Sequence, residues 1–179
     1  MRIIKSLLRM FSIIRSLFWC ITHGVKYKKG VYIGRHVKKN YHVKLELSNY
    51  SRICDNVMLW GNGPIKIGSY TSIGPESRLY ASEGYGIEIG DYVNSASHLY
   101  IIDSNHGMKK GRMMLYQPMS HKKIRIGNDI WFGYHVTVLP GVKLEDGIVC
   151  GACSVITKAF PSNAIICGNP AKIVKYREY

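Results

Sequence analysis

"IRIGNDIWFGYHVTVLPGVKLEDGIVCGACSVITK", residues 124–158, is built on a six-residue beat. Ile126, Phe132, Val138, Leu144, Cys150 and Ile156 stand six apart, and Gly127, Gly133 and Gly151 follow three of them. Two residues ahead of most of these sits another apolar residue: Ile124, Ile130, Val136, Val142 and Ile148. A helix repeats at about 3.6 residues and a half-exposed strand at about 2, so this period fits neither alone. It fits short strands joined by tight corners, each side pointing one aliphatic chain inward, with glycine, asparagine or aspartate supplying positive φ at the corners. One coil cannot bury its own face, so coils must stack. Three sides give about eighteen residues per coil and about seven coils, an all-β parallel solenoid of triangular section.

The beat runs outward from that stretch, at Ile67, Ile73 and Leu79 and at Ile89, Ser95 and Ile101. It is weaker in Leu47, Ile53, Leu59 and Ile65 and in Val31, Val37 and Val43, with phase slips near residues 44, 66 and 84. The solenoid is expected over 25–165, followed by a tail, 166–179. The beat stops after Ile101 in "IIDSNHGMKK" (101–110) and resumes near Ile124. This defines an insertion at about 103–123 around His106. A coil accepts an insertion only where a loop can leave the prism, and such loops tend to build sites.

At 179 residues, 46% hydrophobic and 20% charged, the chain suits one globular domain and not a disordered segment. The formal charge of +14 attracts polyanions. No helix-turn-helix, zinc-finger or RNA-binding signature accompanies it, so nucleic acid is not expected. The five cysteines (Cys20, Cys54, Cys150, Cys153 and Cys167) are odd in number and show no framework, which predicts a reducing, cytoplasmic setting. Cys150 and Cys153 form a single C-x-x-C with no second pair to complete a metal site. Cys150 also lies on the aliphatic beat and reads as a small buried hydrophobe, so no metal is expected.

Residues 1–24 open with "MRIIKSLLRMFSIIRSLFWCIT" (1–22), which has neither a small-residue cleavage site nor an uninterrupted apolar span. Arg2, Lys5, Arg9, Ser12 and Ser16 fall on one helical stripe, opposite a wide apolar face with Phe11, Leu17, Phe18 and Trp19. This predicts a basic amphipathic helix. It either lies in the plane of an anionic membrane or packs on its own domain or a neighbouring subunit.

Residues 65–175, with "W-x-G…PGV" (131–142) and "GNPAK" (168–172), resemble the hexapeptide-repeat acyltransferases, whose fold is a left-handed parallel β-helix. The sugar and polysaccharide O-acetyltransferases, relatives of the maltose and galactoside enzymes, are the subgroup most similar. The resemblance implies acetyl transfer from acetyl-CoA to a sugar or glycan hydroxyl by a homotrimer with sites shared between chains. It makes His106 the catalytic base on the inserted loop. A neutral imidazole suits proton removal from a hydroxyl nucleophile and later proton delivery to the thiolate.

Asp103 is expected to orient that ring or hold the acceptor, or else to cap a turn. Asn105 is expected on the acceptor side. Galactoside-type enzymes bind the acceptor with an asparagine thirty residues before the histidine; the corresponding residue here is Glu76, expected to bind the substrate in a way not copied from them. The donor positions carried over by the resemblance are Trp131, Tyr134, Ala152, Thr157 with Lys158, Lys172 and Lys175, the lysines answering phosphates. His98, His121 and His135 are lesser candidates. N-acetyl transfer to an amino sugar or xenobiotic, a β-helix zinc hydratase and a non-catalytic scaffold remain alternatives, since fold alone does not separate them.

Overall fold

The computed structural model describes residues 2–178, with side chains from residue 10 onward. Helix α1 (Arg2–Thr22) leads into short strands that visit three parallel sheets in rotation, a solenoid of about seven turns. The first sheet begins with Lys26–Tyr27 and Lys44–Leu47, the second with Tyr32–Ile33, the third with Lys38–Lys39.

The beat becomes rows of stacked aliphatics facing the prism axis. Leu47, Ile67, Ile89, Ile126 and Leu144 align on the first sheet. Leu59, Leu79, Ile101, Val138 and Ile156 align on the third, and all ten are buried. Burying each contributes about 1.5–3 kcal/mol relative to exposure, a gain that needs a neighbouring coil. Leu45 pairs with Ile65 twenty residues on, and Ile65 with Ile87 twenty-two on. The expected eighteen holds only later, as from Ile126 to Leu144. The early coils are longer because their strands reach four residues, as in Met58–Gly61 and Pro64–Ile67, which accounts for the phase slips.

The corners meet the expectation at Asn56, Asp129, Gly141 and Gly147 and depart from it elsewhere. Left-handed φ is adopted by Tyr50, Tyr70 and Tyr92 on the corner between first and second sheets. On the corner between second and third it is adopted by His36, Asn56, Glu76, His98, His135 and Cys153. Bulky residues there are strained. Stacking offsets the strain for the tyrosines, whose rings lie 5.1 and 5.2 Å apart.

Both ends of the solenoid are covered. Lys172–Tyr176 returns antiparallel on Ala164–Cys167. At the other end the Ile33 N–H donates to Ser16 Oγ at 2.9 Å, and the Arg15 guanidinium donates to the carbonyls of Gly34 and Ile33. These bonds satisfy an otherwise open strand edge. Ser16 is fully buried, so the polar stripe of α1 faces the solenoid at this point. Arg2, Lys5 and Arg9 lie outside the described side chains. Not every row position is apolar: buried Ser95 pairs with Phe132 on the second sheet, and half-buried Lys39 pairs with Leu59 at the start of the third sheet's row.

Candidate active site

The insertion leaves the prism between Tyr100–Ile102 of the third sheet and Ile124–Ile126 of the first. It is a built arm. Ser104–Asn105 and Ser120–His121 pair antiparallel at its root, and the Lys122 N–H donates to the Asp103 carbonyl at 2.8 Å. Near the tip, buried Gln117 accepts from the Lys109 N–H at 2.7 Å and donates to the carbonyls of Lys109 and Arg112 at 3.0 and 2.8 Å. Gly107 is required beside this clamp, since a Cβ there would stand 2.6 Å from Gln117 Cβ. The preceding residues, Asn105 and His106, are exposed on the root of the arm.

Asp103 is buried and acts as a cap. Its Oδ1 accepts from the Ser82 hydroxyl at 2.7 Å, and its Oδ2 accepts from the N–H groups of Ser82 and Gly86 at 2.8 Å. The turn-capping alternative therefore describes its contacts, and the expected orientation of the His106 ring is not among them. His121 stacks on Tyr85 of that same turn at 5.4 Å, with its Nδ1 buried and unpartnered. The carboxylate and the ring pair tie the arm to the coil.

Glu76 faces a different histidine. Its Oε2 lies 3.8 Å from His98 Nε2, and the His98 ring approaches Tyr134 at 5.3 Å and His135 at 5.9 Å. Glu76, His98 and His135 border a hollow of about 330 Å³ with Arg78, Tyr100 and Thr137. Burial pushes the Tyr100 hydroxyl above its ordinary pKa; Tyr80 adds to this and Arg78 opposes it. This hollow sits where the strands of the third sheet begin, and the His106 arm where they end. Glu76 and His106 are thus on different corners.

The positions expected to meet the donor are spread. Tyr134 and Ala152 stand on successive coils at the corner between second and third sheets, joined by the Cys153 N–H donating to the Tyr134 carbonyl at 2.8 Å. Trp131 lies on the second sheet and, half exposed, lines a hollow of about 290 Å³ with Tyr92, Asp129 and Arg177. Lys172 and Lys175 lie on the returning strand. Thr157 and Lys158 follow Val155–Ile156 of the third sheet, with Lys158 over the Phe160 ring. Gly151 lies against the Cys167 side chain, and exposed Lys172 and Lys175 have no carboxylate partner among the described residues.

Sequence reasoning missed the tip of the arm. Met108, Met113, Met114, Leu115, Tyr116 and Met119 are all exposed, from 45 to 80%. Four of the seven methionines crowd into this insertion, a signal that was present in the sequence. Among the described residues no three His, Cys, Asp or Glu side chains gather as a metal-binding group. Cys150 is buried in the core and its thiol is pushed well up by that burial.

No protein-family model matches the sequence. Over 154 residues the chain is 31% identical to WcaF of Escherichia coli K12, named for acetyl transfer in colanic acid biosynthesis, covering 86% of this chain and 70% of that one. It is 37% identical over 97 residues, half of each chain, to WbbJ of the same organism, named for O-acetyl transfer in lipopolysaccharide biosynthesis. A variant of the N-acyltransferase AntD from Bacillus cereus, solved with dTDP-4-amino-4,6-dideoxyglucose and coenzyme A, superposes with a TM-score of 0.71. That match is 25% identical and covers 87% of this chain and 84% of that one. With the six-residue beat realised as a solenoid and a WcaF-like sequence over most of its length, the chain belongs to the hexapeptide-repeat acetyltransferases.

Proposed function

We propose that this protein is an acetyl-CoA-dependent O-acetyltransferase acting on a hydroxyl of a sugar or cell-surface polysaccharide intermediate. The observation that carries the reading is His106, exposed at the root of a hydrogen-bonded arm beside a solenoid whose relatives are named for polysaccharide acetylation. His106 takes the proton of the acceptor hydroxyl as its oxygen attacks the thioester carbonyl carbon. The C–O bond forms, the C–S bond breaks, and the imidazolium returns the proton to the departing thiolate. The products are an acetyl ester and free thiol, with no acyl-enzyme. Asn105 contacts the acceptor, and Asp103 acts by fixing the arm. Trp131, Tyr134, Ala152 and Thr157 flank the donor, and Lys158, Lys172 and Lys175 meet its phosphates.

The reading includes a homotrimer. The exposed methionines of the arm need an apolar partner, and a neighbouring copy would bring its Glu76–His98 hollow toward His106. Closed threefold symmetry completes three such sites. It also includes a cytoplasmic address at the inner face of an anionic membrane. N-acetyl transfer to an amino sugar is the second reading, favoured by the likeness to AntD and its amino-sugar complex. Incubation with labelled acetyl-CoA and matched hydroxyl and amino acceptors tests both. A base-labile product supports the ester, a base-stable one the amide, and no transfer to either rejects the proposal.

A further inference from the structure

We infer that the outer face of α1, with the hollow beside its C-terminal end, docks the protein on an anionic phospholipid surface. The inference deepens the membrane address proposed above and does not depend on acetyl transfer.

Phe11, Ile14, Phe18 and Ile21 follow one another at spacings of three and four. They form a single stripe, 63, 55, 67 and 67% exposed. The helix cannot roll to hide it. Its opposite side is fixed by buried Ser16 and Cys20 and by the bonds of Ser16 and Arg15 to the first coil. The packing and membrane alternatives for this segment are therefore compatible: the narrow polar side holds the solenoid and the wide apolar side stays free. Among the described residues no helix is long and apolar enough to cross a membrane, so contact would be in the plane.

Ile21 also walls a hollow of about 750 Å³ that contains Val43 and Leu45 together with Lys26, Lys39 and Lys44. Lys39 enters it from the interior row, its ammonium donating to the carbonyls of Asn40 at 3.1 Å and Tyr41 at 3.4 Å. Glu46 offsets one of these charges, 3.6 Å from Lys26. Hydrocarbon contact and phosphate recognition thus adjoin at Ile21, the combination that a phospholipid presents. A second copy fits less well, because symmetry would bring the same lysines against these, on a chain carrying +14.

The test is co-sedimentation of the full chain with phosphatidylglycerol-containing vesicles and with pure phosphatidylcholine vesicles. Binding is expected to the first only, and to weaken as salt rises. Ile14→Ser with Phe18→Ser should lower partitioning at least tenfold, since two large apolar side chains no longer enter the interface. Lys26→Gln and Lys44→Gln should each lower it roughly fivefold. Acetyl transfer to a soluble acceptor is measured on the same samples, so a failure of docking is separate from a failure of the transferase reading. Equal binding to neutral and anionic vesicles, or unchanged binding by the Ile14/Phe18 variant, overturns the inference. A fall in oligomer mass with vesicle binding intact would assign the stripe to a second copy and also overturn it. Should a variant misfold, the lipid and salt dependence of the wild type decides alone.

Discussion

Ser82 and Asp103 meet twice, hydroxyl to Oδ1 at 2.7 Å and N–H to Oδ2 at 2.8 Å, and the Gly86 N–H completes the cluster at 2.8 Å. This buried carboxylate is where the arm joins the coil before it. Asp103→Ala strands two backbone donors and a hydroxyl, so a stability loss of about 3 kcal/mol is expected. Thermal melting should register a clear drop in midpoint, accompanied by lower kcat as the arm loosens. If kcat falls while the midpoint holds, the aspartate acts on the reactants and not on the arm.

His106→Ala should reduce kcat by about a hundredfold or more, the scale of a lost general base. The side chain is exposed and its removal opens no cavity, so the melting midpoint should stay at the wild-type value. A variant retaining most of its turnover would place the base elsewhere, with His98 the next residue to test.

The sequence makes the core legible because the solenoid repeats one decision many times. Ile126, Phe132 and Val138 each announce an inward position, and one misread coil is corrected by the next. Corners are less legible. Tyr50, Tyr70 and Tyr92 accept left-handed φ only because they stack on one another, a gain visible only when residues about twenty apart become neighbours. For Asp103 turn-capping stood beside a role at His106 or the acceptor, and the partners that separate these readings, Ser82 and Gly86, lie about twenty residues away in sequence. Lys39 sits in register with Leu59 and six residues from both Ile33 and Leu45, but a lysine does not announce an inward position as an aliphatic residue does. The insertion itself was legible as a broken beat.

The exposed apolar tip of the arm predicts an assembly defect when it is charged. For the proposed trimer, Met114→Glu with Leu115→Glu should shift light scattering from about three times 20.3 kDa toward the single-chain mass. Activity should fall with it if sites are shared between chains. A trimer that survives both charges would move the interface away from the arm.

Glu88 and Lys123 link the coil before the arm to its return leg, 2.6 Å apart. The Lys123 hydrogen bond holds the Glu88 carboxyl below its ordinary pKa, against an opposing effect of burial. For a depressed carboxylate the stabilisation is present above the unfolded value and lost as pH falls through the folded one. Both groups are more than a third exposed, so about 0.5 kcal/mol is expected. Glu88→Gln should lower the melting midpoint slightly at neutral pH, and the difference should vanish in acid below the carboxylate range. A difference that persists there would mean that Glu88 acts through packing.

Lys39 provides a test of cost against use. Burial lowers its pKa, so the charged form is disfavoured in the folded protein. The sign follows from proton binding. Between the folded value and the ordinary lysine value the unfolded chain holds more protons, so stability rises with pH across that window. Lys39→Met keeps the stem and removes the ammonium, and should raise stability only slightly at neutral pH, because the half-exposed ammonium stays largely solvated. The advantage should shrink toward pH values near about 10.4, where the unfolded lysine also loses its proton. Melting curves of both proteins across the alkaline range check the sign. A variant less stable than wild type at neutral pH would show that the bonds to Asn40 and Tyr41 outweigh desolvation. The ammonium would then be a structural cap of the third sheet's first strand, and not a charge held at a cost in stability.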